Sequence, residues 1–104
     1  MKQTRKRRIL IVDDSEMNRE ILTGILEDEY DIVEAEDGKK AIAIMEEGLY
    51  SFSIVLLDIT MPELDGFGVL QVMQQRNWLK ELPVIIISAE TSNEYILSLI
   101  HISE

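Results

Sequence analysis

The sequence predicts an α/β domain in which helices cover a parallel β-sheet. Short apolar runs alternate with amphipathic stretches along the chain, three of the four runs are nearly continuous in Ile, Val and Leu, and 104 residues suffice for one domain with a modest core. Strands buried on both faces of a parallel sheet have that continuous apolar look, whereas strands with one wet face alternate. Regular alternation of strand and helix implies right-handed crossovers and strands that run side by side in one direction.

The first predicted strand runs from Arg8 to Val12. Behind it Met17, Ile21 and Ile25, with Leu22 and Leu26, keep helical spacing, and Ser15 is placed to cap the helix. Glu16 and Asn18 open this helix, where a carboxylate suits the helix dipole. The second strand is Tyr30 to Ala35. Asp37 with Gly38 opens the second helix, Ala41, Ile42 and Met45 form its inner face, and Gly48 is placed to stop it. The third strand is Phe52 to Leu57, running straight into Asp58. Asp65 with Gly66 opens the third helix, with Phe67, Leu70 and Met73 facing inward, and Trp78 is expected to pack where this helix meets the fourth strand, Val84 to Ile87. Met17, Met45 and Met73 are read together as core filling.

Beyond the fourth strand two readings stay open. One is a fourth helix from about Ser92. The other is a tail foreign to the domain from about residue 96, because Tyr95, Ile96, Leu97, Leu99, Ile100 and Ile102 surround a helical wheel instead of lining one face, and LSLIHISE is similar to translated sequencing-adapter read-through. His101 lies in that stretch and is read as inert.

Composition narrows the function classes. Hydrophobic residues make up 46% and charged residues 29%, which suits a globular chain and excludes a disordered one. The longest apolar runs are far too short to span a bilayer, and the basic start lacks the apolar stretch of a secretory signal. With no cysteine there is neither a disulfide nor a thiolate metal site. These features together predict a cytoplasmic protein without a membrane partner. The formal net charge is -10, yet residues from 9 onward hold 5 bases against 20 acids, a net of -15. Such a body repels nucleic acid and attracts cations. Residues 1–7 are read as a basic tail that balances it, with an RNA-binding or docking arm at Arg5, Lys6, Arg7 and Arg8 as the lesser alternative.

In an open parallel sheet, ligands sit beyond the carboxyl ends of the strands. The first predicted strand ends in Asp13 and Asp14, the third in Asp58, and the fourth in Ser88 and Ala89. Taken alone, Asp58 reads equally well as a turn former or helix cap. Taken together, three carboxylates on one rim repel one another and call for a cation or a proton. An all-oxygen set without His or Cys suits a hard divalent ion such as Mg²⁺, usually joined by a phosphate oxygen. A carboxylate fixed on a rigid strand end beside such an ion is well placed to attack phosphorus.

RILIVDDSEMNR, VEAEDGKKAI, IVLLDITMPELDGFGVL and PVIIISAE, in that order and spacing, resemble the response-regulator receiver domains of two-component signalling over residues 8 to about 95. The resemblance implies a doubly wound, flavodoxin-like sheet of order 2-1-3-4-5, of which residues 8–104 would hold all but the fifth strand and fifth helix. It implies that Asp58 accepts a phosphoryl group from a sensor histidine kinase or a phosphotransfer protein. Asp14 would bind Mg²⁺, Asp13 would assist, and Thr60 would lend its backbone carbonyl. Pro62 and Gly66 would shape the loop, Ser88 would be the switch hydroxyl, small Ala89 would leave it room, and Glu90 would tune access of water. The lysine that the family places after its fifth strand cannot be assigned in this chain, nor can an output domain.

Two rivals remain beside this non-enzymatic phosphoacceptor. An aspartyl phosphatase of the haloacid-dehalogenase kind wants a second Asp two residues after the first, where Thr60 stands. A receiver-like interaction module that is never phosphorylated is favoured by the unassigned lysine and opposed by the acidic rim.

Overall fold

The structure, a computed structural model, describes residues 6–58 and 66–87. Its strands are β1 (Arg7–Val12), β2 (Tyr30–Ala35), β3 (Ile54–Asp58) and β4 (Val84–Ile87), and its helices are α1 (Glu16–Leu26), α2 (Gly38–Gly48) and α3 (Gly66–Gln75). Every strand pairing is parallel, and the order is β2-β1-β3-β4. That is the order implied for these strands by the family resemblance. The expected fourth helix and the alternative foreign tail lie outside the described residues.

Alternation along the central strands divides the core in two. Leu10, Val12, Val55 and Leu57 point to one face, where Ala41 and Met45 of α2 and Val69, Leu70 and Met73 of α3 bury against them. Ile9, Ile11 and Leu56 point to the other, where Leu22 and Leu26 of α1 pack. The continuous apolar run in β1 thus serves both faces, and Leu10, Ile11 and Val12 are fully buried.

Local chemistry sets the helix boundaries. Ser15 Oγ accepts from the Asn18 amide at 3.2 Å and Asp37 Oδ1 accepts from the Lys40 amide at 2.8 Å, each satisfying an otherwise unpaired helix-start donor. Helix α2 does end at Gly48, but not through a left-handed glycine. Gly48 has φ -157° and the chain tightens into a single 3₁₀ turn over Leu49–Ser51, whose Ser51 hydroxyl donates to the Gly48 carbonyl at 2.7 Å. Asn77, at φ 63°, supplies a left-handed residue just after α3. Trp78 follows it, packs against the larger core and lies under the Arg76 guanidinium at 5.1 Å, while Arg76 also pairs with Glu46 of α2.

Three sequence expectations are corrected. The third strand begins at Ile54, not Phe52. The Phe52 amide closes the 3₁₀ turn onto the Leu49 carbonyl at 3.3 Å, its ring lies 4.9 Å beneath the Arg8 guanidinium, and pairing starts only with the Ser53 amide on the Arg8 carbonyl at 2.8 Å. The first strand begins one residue early, because Arg7 already pairs with Tyr30.

The larger correction concerns α1. Met17, Ile21 and Ile25 are 68%, 53% and 69% exposed, so Met17 is not core filling as Met45 and Met73 are. Two apolar stripes compete for the sheet on this helix, and Leu22 with Leu26 wins. The reason is polar: Arg19 and Thr23, on the side of α1 away from Ile21, bond to Glu34 of β2, which fixes the rotation of the helix.

Truncations separate the two stripes. Met45→Ala should lower the unfolding free energy by about 2 to 5 kcal/mol, as for other large-to-small core changes. Ile21→Ala should stay within about 0.5 kcal/mol of wild type. Urea unfolding of both variants checks this, and a comparable loss in Ile21→Ala would mean the outer stripe is covered.

Candidate functional site

Register assembles the site. Val12 of β1 sits beside Leu57 of β3, so the next residues, Asp13 and Asp58, leave neighbouring strands at one level. Both follow the parity of Ile9, Ile11 and Leu56, which places their side chains toward the α1 face. Asp14 follows in the short link to α1. One carboxylate oxygen from each of Asp13, Asp14 and Asp58 can be chosen so that all lie within 4.8 Å of one another. Asp13 and Asp58 are 2% and 6% exposed, while Asp14 faces solvent.

The link is pinned at several points. The Asp13 amide donates to the Ala35 carbonyl at 3.1 Å, which extends the β1–β2 ladder by one residue. Asp13 Oδ1 accepts from the Ser15 amide at 2.9 Å, and Asp13 Oδ2 from the Asn18 side-chain amide at 3.4 Å. The Asp13 carbonyl accepts from Arg19 Nη1 at 2.7 Å. Buried Asp13 therefore has its carboxylate satisfied on both oxygens and its main chain held on both sides.

Burial pushes the Asp13 carboxyl above the usual carboxylate range; the Ser15 amide opposes this, Asp58 adds to it, Asn18 opposes it and Asp14 adds again. The donor set fits a hard cation. Two opposite ligands of Mg²⁺ lie about 4.2 Å apart at its usual bond length, so three oxygens within 4.8 Å need only small side-chain adjustments to share one ion. Burial of this kind, with two carboxylates inside and one at the mouth, is costly for the protein alone and favourable with a cation.

The three carboxylates named from the sequence are thus brought together. Thr60, Pro62, Ser88, Ala89 and Glu90 lie outside the described residues. Asp58 pairs with Ile87 across β3 and β4, and Ser88 is the next residue of the chain. Asn18 does double service, as its backbone amide completes the cap and its side chain reaches Asp13. Sequence reading missed Arg19, Thr23 and Glu34. The available signal was faint: Arg19 is the sole base between residues 9 and 38, and its partner lies on another element.

Residues 9–103 match the family described as response regulator receiver domain. The chain belongs to that family. This receiver domain is 32% identical over 83 residues to the two-component response regulator ORR5 of Oryza sativa subsp. japonica, a match covering 79% of this chain and 61% of the relative. The chain therefore spans less than two thirds of that relative's length. Among solved structures it is similar to the CheX-CheY-BeF3-Mg²⁺ complex of Borrelia burgdorferi, with 32% identity, TM-score 0.85, and coverage of 92% of this chain and 72% of the other. It is also similar to the response regulator TrrA of Thermotoga maritima in complex with Mg²⁺-BeF, with 32% identity, TM-score 0.78, and coverage of 93% and 80%. No helix among the described residues is long and apolar enough to cross a membrane.

The raised Asp13 carboxyl has a stability consequence. An acid whose folded pKa is raised contributes stability that is present below the unfolded value, about 3.9, and is lost as pH rises through the folded value. With a chelator present, Asp13→Asn should therefore raise the thermal midpoint of this receiver domain at pH 7, and that advantage should shrink as pH falls toward about 4. Thermal unfolding across that range is the measurement. An advantage that grows toward acid would reverse the assigned sign.

Proposed function

We propose that this receiver domain is a phosphoacceptor in two-component signalling, and that Asp58 takes the phosphoryl group from a phosphohistidine of a sensor kinase or phosphotransfer protein. The observation that carries the reading is the convergence of Asp13, Asp14 and Asp58 oxygens within 4.8 Å at the carboxyl ends of β1 and β3. Asp58 closes a strand flanked on both sides, by β1 and β4, so its carboxylate is held on a rigid element. A carboxylate oxygen of Asp58 forms the new bond to phosphorus while the bond from phosphorus to the histidine nitrogen breaks, and that nitrogen keeps the electron pair.

Asp14 and Asp13 are the residues we assign to Mg²⁺, with Asp58 itself and the Thr60 carbonyl completing the protein's share. When bound, the ion supplies charge neutralisation for the transferred oxygens, the main requirement of phosphoryl transfer. The remaining work belongs to side chains. Asp14, at the exposed mouth, is reachable by a hydrated ion from solvent. Asp13, buried and held by Ser15 and Asn18, keeps the inner wall of the site in place. We assign Ser88 as the hydroxyl that reports the phosphoryl group and Ala89 as the small neighbour that gives it room. That the similar CheX-CheY and TrrA structures hold Mg²⁺ together with BeF3 or BeF supports the choice of ion.

Acetyl phosphate with Mg²⁺ should add the mass of one phosphoryl group, and peptide mapping should place it on Asp58. Asp58→Ala should abolish the adduct, and Asp14→Ala should slow its formation more than Glu16→Ala does. Intact-mass spectrometry decides the matter, and an adduct that persists in Asp58→Ala overturns the assignment.

A further inference from the structure

Arg19 is mostly covered, its side chain only 13% exposed, and both of its described bonds link separate elements. Nε donates to Glu34 Oε1 of β2 at 2.9 Å, and Nη1 donates to the Asp13 carbonyl at 2.7 Å. Glu34 Oε2 in turn accepts from Thr23 Oγ1 at 3.1 Å, so one carboxylate holds two successive turns of α1. A guanidinium spends its rigid fork in this way where direction matters, because its donors are fixed in one plane.

The direction it sets is that of the peptide joining Asp13 to Asp14. The Asp13 amide is committed to Ala35 and its carbonyl to Arg19, which leaves that residue no freedom to rotate. Asp14, by contrast, is exposed and stands in the short link between β1 and α1. Its carboxylate can hold one position only if the peptide before it does.

We propose that Arg19 is a positioning residue for the cation site: anchored by Glu34, it fixes the Asp13–Asp14 peptide and so aims the Asp14 carboxylate. This deepens the proposed function and rests on its Mg²⁺ assignment. It also explains a placement that electrostatics alone disfavours, since a mostly covered cation bonded within the acidic link opposes a second cation there. Groups that orient ligands to a metal are worth on the order of tenfold in affinity or more when removed.

That opposition supplies a test by sign. Arg19→Met keeps the aliphatic stem and removes the charge; Arg19→Lys keeps the charge and removes the fork. Titration of the full chain with MgCl₂, followed by calorimetry and by the backbone amide shifts of Asp14 and Ser15, should show Mg²⁺ bound on the order of tenfold more weakly by both variants. Thr23→Val loses one tie between α1 and β2 but keeps the bond to Asp13. It should lower the thermal midpoint while leaving Mg²⁺ affinity at the wild-type value. Tighter binding by Arg19→Met with unchanged binding by Arg19→Lys would mean that Arg19 acts by charge alone, and the positioning role falls. It falls equally if Thr23→Val loses as much affinity as the Arg19 variants, because the network would then act through general stability. Should Arg19→Met fail to fold, Arg19→Lys decides. A wild-type chain whose Asp14 and Ser15 amides ignore Mg²⁺ would overturn the metal assignment itself and leave nothing to position, whereas wild-type binding with unaffected variants would overturn the positioning role alone.

Discussion

Like charges forced together at the ends of two parallel strands are the constraint on which this domain depends. The pairing of Val12 with Leu57 leaves Asp13 and Asp58 no choice of neighbour, and the parity of the strands turns both toward the same face. Moving either strand by one residue would turn its carboxylate to the opposite face, among Leu10, Val55 and Leu57. The fully buried side chains of β1 and β3 hold the register against the repulsion, since a slip would also send every core residue of one strand to the wrong side.

The tension has a functional reading. A site that is unfavourable when empty is one that gains most from a cation, and stability given up at the rim is returned by whatever binds there. The larger core, made by α2 and α3 against one face of the sheet, carries most of the apolar burial and is independent of that exchange. The α1 face is thinner. Its helix contributes two half-buried leucines and relies on the Arg19, Thr23 and Glu34 bonds for its orientation. Structure near the site is therefore built more from directional polar contacts than from packing, which suits a region where geometry matters more than strength.

Helix α1 shows why amphipathic spacing is an incomplete guide. Met17, Ile21 and Ile25 repeat every four residues, and Leu22 with Leu26 does the same a third of a turn away. Both stripes satisfy the period of a buried face. Burial went to the second because Arg19 and Thr23 reach Glu34, a residue eleven positions from Thr23 and on strand β2. Phe52 shows the same limit at a strand end. An aromatic beside Ile54 and Val55 reads as strand, yet its amide is already spent on closing the turn before it.

What the sequence determined by itself was the kind and order of the elements and the identity of the acidic cluster. Apolar period, capping residues and the Asp that closes a buried run are properties of neighbouring residues, and each can be judged from a short window. Even the family was legible, because its motifs are local strings in a set order. Only the tertiary structure decided the rotation of α1, the start of β3, the burial of Asp13 and Asp58 against the exposure of Asp14, and the Arg19 clamp. Those depend on which residues of distant segments meet, and a hydrogen bond from α1 to β2 has no periodicity by which it could be read in advance.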